Sequence, residues 1–131
     1  VMCAQALVLM AEAGQHVGLD LWAYDNRGVS VTTATSYPLY YYFYPDKWKW
    51  GEKTWKRGEG LQEEVIESDV AQAIFRANAG WLEILNHHYG NRPLKAVRLI
   101  LDDLRPIFDV TGGGMTSLTH GIREKRRGLF G

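Results

Sequence analysis

The clearest order in the chain is periodic. Val1, Ala4, Leu7, Val8, Ala11 and Gln15 recur at three- and four-residue spacing, and Gly18 follows where a helix C-terminal glycine would stand. That pattern predicts a helix over residues 1–17. Trp22 and Tyr24 among Asp25, Asn26, Arg27 and Gly28 then read as a structured turn. Ser30 is placed to cap a second helix reaching Tyr44, although β-branched Val29, Val31, Thr32 and Thr33 weaken it and Pro38 implies a kink or restart. Pro45 ends that helix, and the stretch from Pro45 to Gly60 reads as a long, partly ordered loop. Val70, Ile74, Ala77, Trp81, Ile84, Leu85 and His88 trace the strongest stripe, one helix from a Ser68 or Asp69 cap to Gly90. Pro93 suits the first turn of another, carrying Ala96, Val97, Ile100, Leu101 and Leu104 inward before Pro106 stops it. The glycine run 112–114 and all that follows are loop-like.

No strand ladder, βαβ alternation or internal repeat emerges, so the fold class is all-α, built of successive helical hairpins. At 131 residues the chain is long enough for one domain. Its 15 basic and 15 acidic residues cancel, so no global field draws it to nucleic acid or to an acidic polymer, and any anion recognition is local. The single cysteine, Cys3, sits among Ala4, Ala6 and Leu7 and reads as a small buried apolar residue. The opening run to Ala11 is too short to span a bilayer and lacks a basic leader region, which makes it a helix and not a targeting segment. It begins without Met inside a periodic run, and further residues are expected upstream.

Candidate chemistry gathers in three places. Between Tyr37 and Trp55 the tyrosines and tryptophans crowd together, and Trp48 and Trp50 alternate with Lys47, Lys49 and Lys53. Indole faces stack on pyranose rings and ammonium groups pair with carboxylates, which makes Trp48 and Trp50 candidates for holding an acidic sugar. The alternative is that these tryptophans pin a long loop to the helical core. Tyr40, Tyr41 and Tyr42 cover most of a helix circumference, so one of them faces the core and another is free to reach a cleft. Beyond the glycine run, His120 and Arg123 are candidate cleft residues, set against a plain domain-closing loop. His87 and His88 are adjacent, diverge around a helix and do not make a metal pair; solvation at a helix end explains them. Asp102 and Asp103 diverge for the same reason and do not form a glycosidase pair. No cofactor or metal site is indicated, and residues 122–131 read as a basic linker or tail.

Three stretches together resemble the alginate-lyase-domain family: Gln5-Ala6-Leu7 through Ala11-Glu12-Ala13 to His16-Val17-Gly18-Leu19-Asp20-Leu21-Trp22; Trp81-Leu82-Glu83-Ile84 leading to His88-Tyr89-Gly90; and Arg105-Pro106 followed by Gly112-Gly113-Gly114 and Thr116-Ser117-Leu118-Thr119-His120. They cover residues 1–121 in consistent order. The resemblance implies the last hairpins of an incomplete (α/α) toroid, a periplasmic or secreted setting, and cleavage of an anionic, uronate-containing polysaccharide by β-elimination. It also implies that the Asn-His pair and tyrosine performing that chemistry precede Val1, so the catalytic residues are unknown here and no role passes to Asn86-His87. Trp48, Trp50, His120 and Arg123 are the substrate-binding candidates. The partners implied are the polysaccharide and upstream helices, with self-association through the Val1–Val8 and Val70–Leu85 faces, and no membrane. A non-catalytic carbohydrate-binding or scaffold module is the alternative function. A nucleic-acid binder using the Lys/Trp loop is disfavoured by the balanced charge.

Overall fold

The computed structural model describes residues 1–47, 52–56, 58–64, 67–92, 94–109, 111 and 114–121, with burial and side chains of 52–56 and 61–64 outside that description. Among these residues the fold is predominantly helical, as the periodicity predicts. In chain order come α1 (Met2–His16), α2 (Val31–Phe43), a 3-10 turn (Pro45–Lys47), β1 (Glu52–Lys56), β2 (Gly60–Glu64), α3 (Ser68–Ala77), α4 (Trp81–His88), α5 (Lys95–Leu104) and the short α6 (Thr116–Thr119).

Local chemistry sets the ends of the first two helices. After α1 the amides of Gly18 and Leu19 return to the carbonyls of Gln15 and Gly14 (3.2 and 2.9 Å), the paired bonds of a Schellman motif, and Gly18 takes the φ of +80° that this closure requires. Ser30 and Thr33 form a reciprocal capping box at the start of α2, each hydroxyl accepting the other's amide. Pro38 lies inside α2, which continues past it to Phe43.

The core sits around α4. Trp81, Leu82, Ile84 and Leu85 are buried there, with Val97, Ile100 and Leu101 of α5 on one side and Ala4, Val8 and Ala11 of α1 on another. Each large apolar side chain removed from water contributes about 1.5–3 kcal/mol, so α4 is the element the others are built on. α1 packs on α4 and α2, and α6 closes on α4.

Several expectations are corrected. The long stripe from Ser68 to Gly90 is two helices and not one. The Asn78 side-chain amide bonds the Ile74 carbonyl (2.8 Å), the acceptor a continuing helix would give to the Asn78 backbone, and Gly80 begins a new axis. Val70 and Ile74, expected inward, are exposed, while Phe75 faces the core. The loop expected from Pro45 to Gly60 contains a 3-10 turn and the first strand of an antiparallel hairpin, which pairs Glu52 with Glu64 and Lys56 with Gly60. Cys3 is exposed, and so are Leu7 and Gln15, because the buried face of α1 runs through Ala4, Gln5, Val8, Ala11 and Gly14. No helix among the described residues is long and apolar enough to cross a membrane.

Candidate functional site

Three segments far apart in sequence meet at the C-terminal end of α4. His87 and His88 close that helix, Trp22 comes from the loop after α1, Glu12 from α1 itself, and His120 from the end of α6. The His88 ring stacks on Trp22 with centroids 4.1 Å apart and planes 12° from parallel. Burial against that indole pulls the His88 imidazole below its ordinary value, partly offset by Glu12 and Asp20, while His87 adds to the lowering. His87 stands edge-on to His120 at 5.7 Å. His120 Nδ1 is engaged by the Thr119 hydroxyl at 2.8 Å, which turns Nε2 toward Glu12 Oε1 at 3.7 Å. Beside them lies a shallow cleft of about 300 Å3 walled by residues 87–92. Imidazoles and a carboxylate at one edge can exchange protons, and the imidazoles can receive an acidic ligand when protonated.

A buried polar framework holds His120 at this edge. The Glu83 carboxylate receives a two-pronged grip from Arg105, Nε to Oε1 at 2.8 Å and Nη2 to Oε2 at 2.9 Å, and also accepts the Ser117 hydroxyl at 2.8 Å. The same Ser117 oxygen accepts the Ile107 amide. Burial pushes the Glu83 carboxyl up, but the Arg105 and Ser117 hydrogen bonds and the charges of Arg105 and His120 outweigh it and leave the group below the ordinary carboxylate range. One helical turn earlier, buried Asp109 accepts the Gly80 amide (2.8 Å) at the start of α4, the Gln5 amide nitrogen (3.1 Å) and the Thr111 amide (2.9 Å). Two carboxylates therefore join Arg105, Asp109 and Ser117 to α4 and its N-terminal end, and α6 carries His120 from there.

Of the residues singled out from sequence, His120 falls into this cluster; Trp48, Trp50 and Arg123 lie outside the described residues. Asn86 is buried, with its side-chain oxygen unpartnered among the described residues, and His87 is exposed beside it. His87 and His88 do more than solvate a helix end, since one meets His120 and the other stacks on Trp22. Glu12 was missed as a partner; its only sequence signal is that it is the sole acidic residue in a largely apolar helix. Among the described residues no three His, Cys, Asp or Glu side chains are grouped to hold a metal ion. Compared with protein-family models, with curated proteins and with solved structures, the chain matches none.

Proposed function

We propose that this chain is the C-terminal part of a helical polysaccharide lyase that cleaves uronate-containing chains by β-elimination, in a periplasmic or secreted setting. The observation that supports the reading is the convergence of His87, His120 and Glu12 from three segments beside an open cleft, His120 being one of the cleft candidates read from the sequence. Imidazole N–H groups offer hydrogen bonds to a uronate carboxylate, and the Trp22–His88 stack adds a flat aromatic surface at the same end of α4. On this reading the base and acid of the elimination belong to residues preceding Val1, the described helices are the closing hairpins of a toroid, and this chain supplies part of the cleft.

Oligouronate titration followed through the imidazole NMR signals tests it. His87 and His120 should shift with an oligouronate and stay still with an uncharged cello-oligosaccharide, and His120→Ala should weaken binding several-fold. Silence of both imidazoles toward uronates would overturn the proposal. Ultraviolet absorbance of the unsaturated product should stay flat for residues 1–131 alone; product from this chain would move the chemistry into it. A second reading, a non-catalytic carbohydrate-binding module, is favoured by the exposed tyrosines of α2.

A further inference from the structure

α2 carries no charged residue in its 13 positions, although one side of it faces water. Surface helices ordinarily place charged side chains there. In their place stand Tyr37 and Tyr40, followed by Tyr44 at the helix's C-terminal cap, which are 51, 50 and 52% exposed. The rings form a continuous strip: Tyr37 meets Tyr41 at 4.9 Å, Tyr41 meets Tyr40 at 5.1 Å, and Tyr40 meets Tyr44 at 5.0 Å. From Tyr37 to Tyr44 the strip runs about 10 Å along the axis, at 1.5 Å per residue.

Tyr37, Tyr40 and Tyr44 stand outside the hydrophobic core. α2 buries Thr35, Pro38 and Leu39, and Tyr42 turns the other way to meet Phe75 and hydrogen-bond Asp103. Polar chemistry decides what can cover it. The phenol hydroxyls of Tyr37, Tyr40 and Tyr44 make no hydrogen bond to any described residue, so they rely on water. An apolar helix laid over them would strip that water and return nothing. A pyranose offers a C–H face to each ring and hydroxyls at its rim to each phenol, matching both halves of the tyrosine.

We propose that the α2 tyrosine strip is a second glycan-binding site, separate from the histidine cluster, which grips a polysaccharide chain by stacking on its sugar rings and not by reading its charge. The ligand class rests on the polysaccharide reading above; the indifference to charge rests on α2 alone, since its helix offers no cation to a carboxylate.

The experiment titrates the intact chain with a sodium alginate oligosaccharide and with a cello-oligosaccharide while tyrosine ring signals are followed by NMR. Both ligands should shift Tyr37, Tyr40 and Tyr44, with affinities that change little as salt rises. Tyr37→Ala and Tyr40→Ala should each weaken binding about threefold to tenfold, and Tyr40→Phe should retain most of it. These side chains are half in solvent, so the helical circular dichroism should be unchanged. Tyrosine signals indifferent to both sugars overturn the inference; if Tyr40→Ala then dissolves a dimer in sedimentation, a second copy of the chain covers the strip. The two proposals fail separately. Shifts at the tyrosines without shifts at the imidazoles sink the lyase reading and keep this site, and the reverse pattern does the opposite.

Discussion

Removing Arg105 should strand a buried charge. Glu83 is 0% exposed and Arg105 29%, so the pair is sheltered on one side and reachable by water on the other. Arg105→Met keeps most of the aliphatic stem, which separates loss of charge from loss of packing. Among the described residues, the Ser117 hydroxyl is then the hydrogen-bond donor left to the Glu83 carboxylate. Breaking a buried pair by deleting one partner costs about 3–5 kcal/mol, and the partial exposure of Arg105 places this case near 3. For a chain of this size that corresponds to a fall in Tm of roughly 10 °C. Urea unfolding should show the lower midpoint with an unchanged slope. Glu83→Gln combined with Arg105→Met should cost less than the two single substitutions added together, since the double variant buries no charge. The pH dependence has a definite sign. Glu83 is held below its ordinary value in the folded state, so its contribution is present above the unfolded glutamate range and is lost as pH falls through the folded value. Arg105→Met removes a main cause of that depression and should move acid unfolding to higher pH. A cost below about 1 kcal/mol, or strict additivity in the double variant, would refute the idea that this pair anchors the closing segment.

The other expectations are shorter. Gly80 has ordinary helical angles, so Gly80→Ala adds no backbone strain, but its Cβ would stand 2.8 Å from Asp109 Cβ and 3.1 Å from Thr116 Oγ1. Chemical denaturation should show a loss of about 2 kcal/mol from this overpacking, and a stabilised variant would contradict the packing described. His88 has a lowered value in the folded state, so the unfolded chain binds its proton more readily; stability should be full above the unfolded histidine value and decline as pH drops below it. Trp22 fluorescence against pH reads the same event, and His88→Phe should flatten that part of the profile. Burial, then the hydrogen bond to Asp103, pushes the Tyr42 phenol up to about 12 against the lowering influence of Arg76, so spectrophotometric titration should find Tyr42 ionising late, and moved back toward the ordinary value in Asp103→Asn.

The helices were legible where their signals were local. Ser30 with Thr33 and Gly18 after Gln15 specify ends through bonds spanning a few residues, and both ends fall where the pattern places them. α5 is legible for another reason: its apolar and polar faces are sharply divided, so Val97, Ile100 and Leu101 had one way to turn. α1 is apolar nearly all round, and periodicity could not choose its inner face. Tertiary chemistry chose it, because Gln5 is drawn inward by Asp109, 104 residues away. The break between α3 and α4 is equally non-local, stabilised by the Asp109 carboxylate on the Gly80 amide and by Thr111 donating to Asn78 at 2.6 Å. The hairpin escaped because Glu52–Lys56 and Gly60–Glu64 lack apolar alternation; its traces in sequence are Gly58 and Gly60, both at positive φ.

The candidate site follows the same division. The glycine run before it drew attention to His120, but nothing near it in sequence points to Glu12 or His87. What joins them is a pair of carboxylates with no place in an apolar periodic reading. Glu83 lies within the most buried helix of the chain, where a carboxylate is costly unless charge and hydrogen bonds come to it. Arg105 and Ser117 come to it from the closing segment, and Asp109 on that segment reaches back to the N-terminal end of the same helix. An apolar surface would tolerate this segment in several registers, whereas two buried acids with matched donors accept one. That single register is what sets His120 within reach of Glu12 and His87, so the geometry of the half-buried cluster is decided by two carboxylates that solvent never meets.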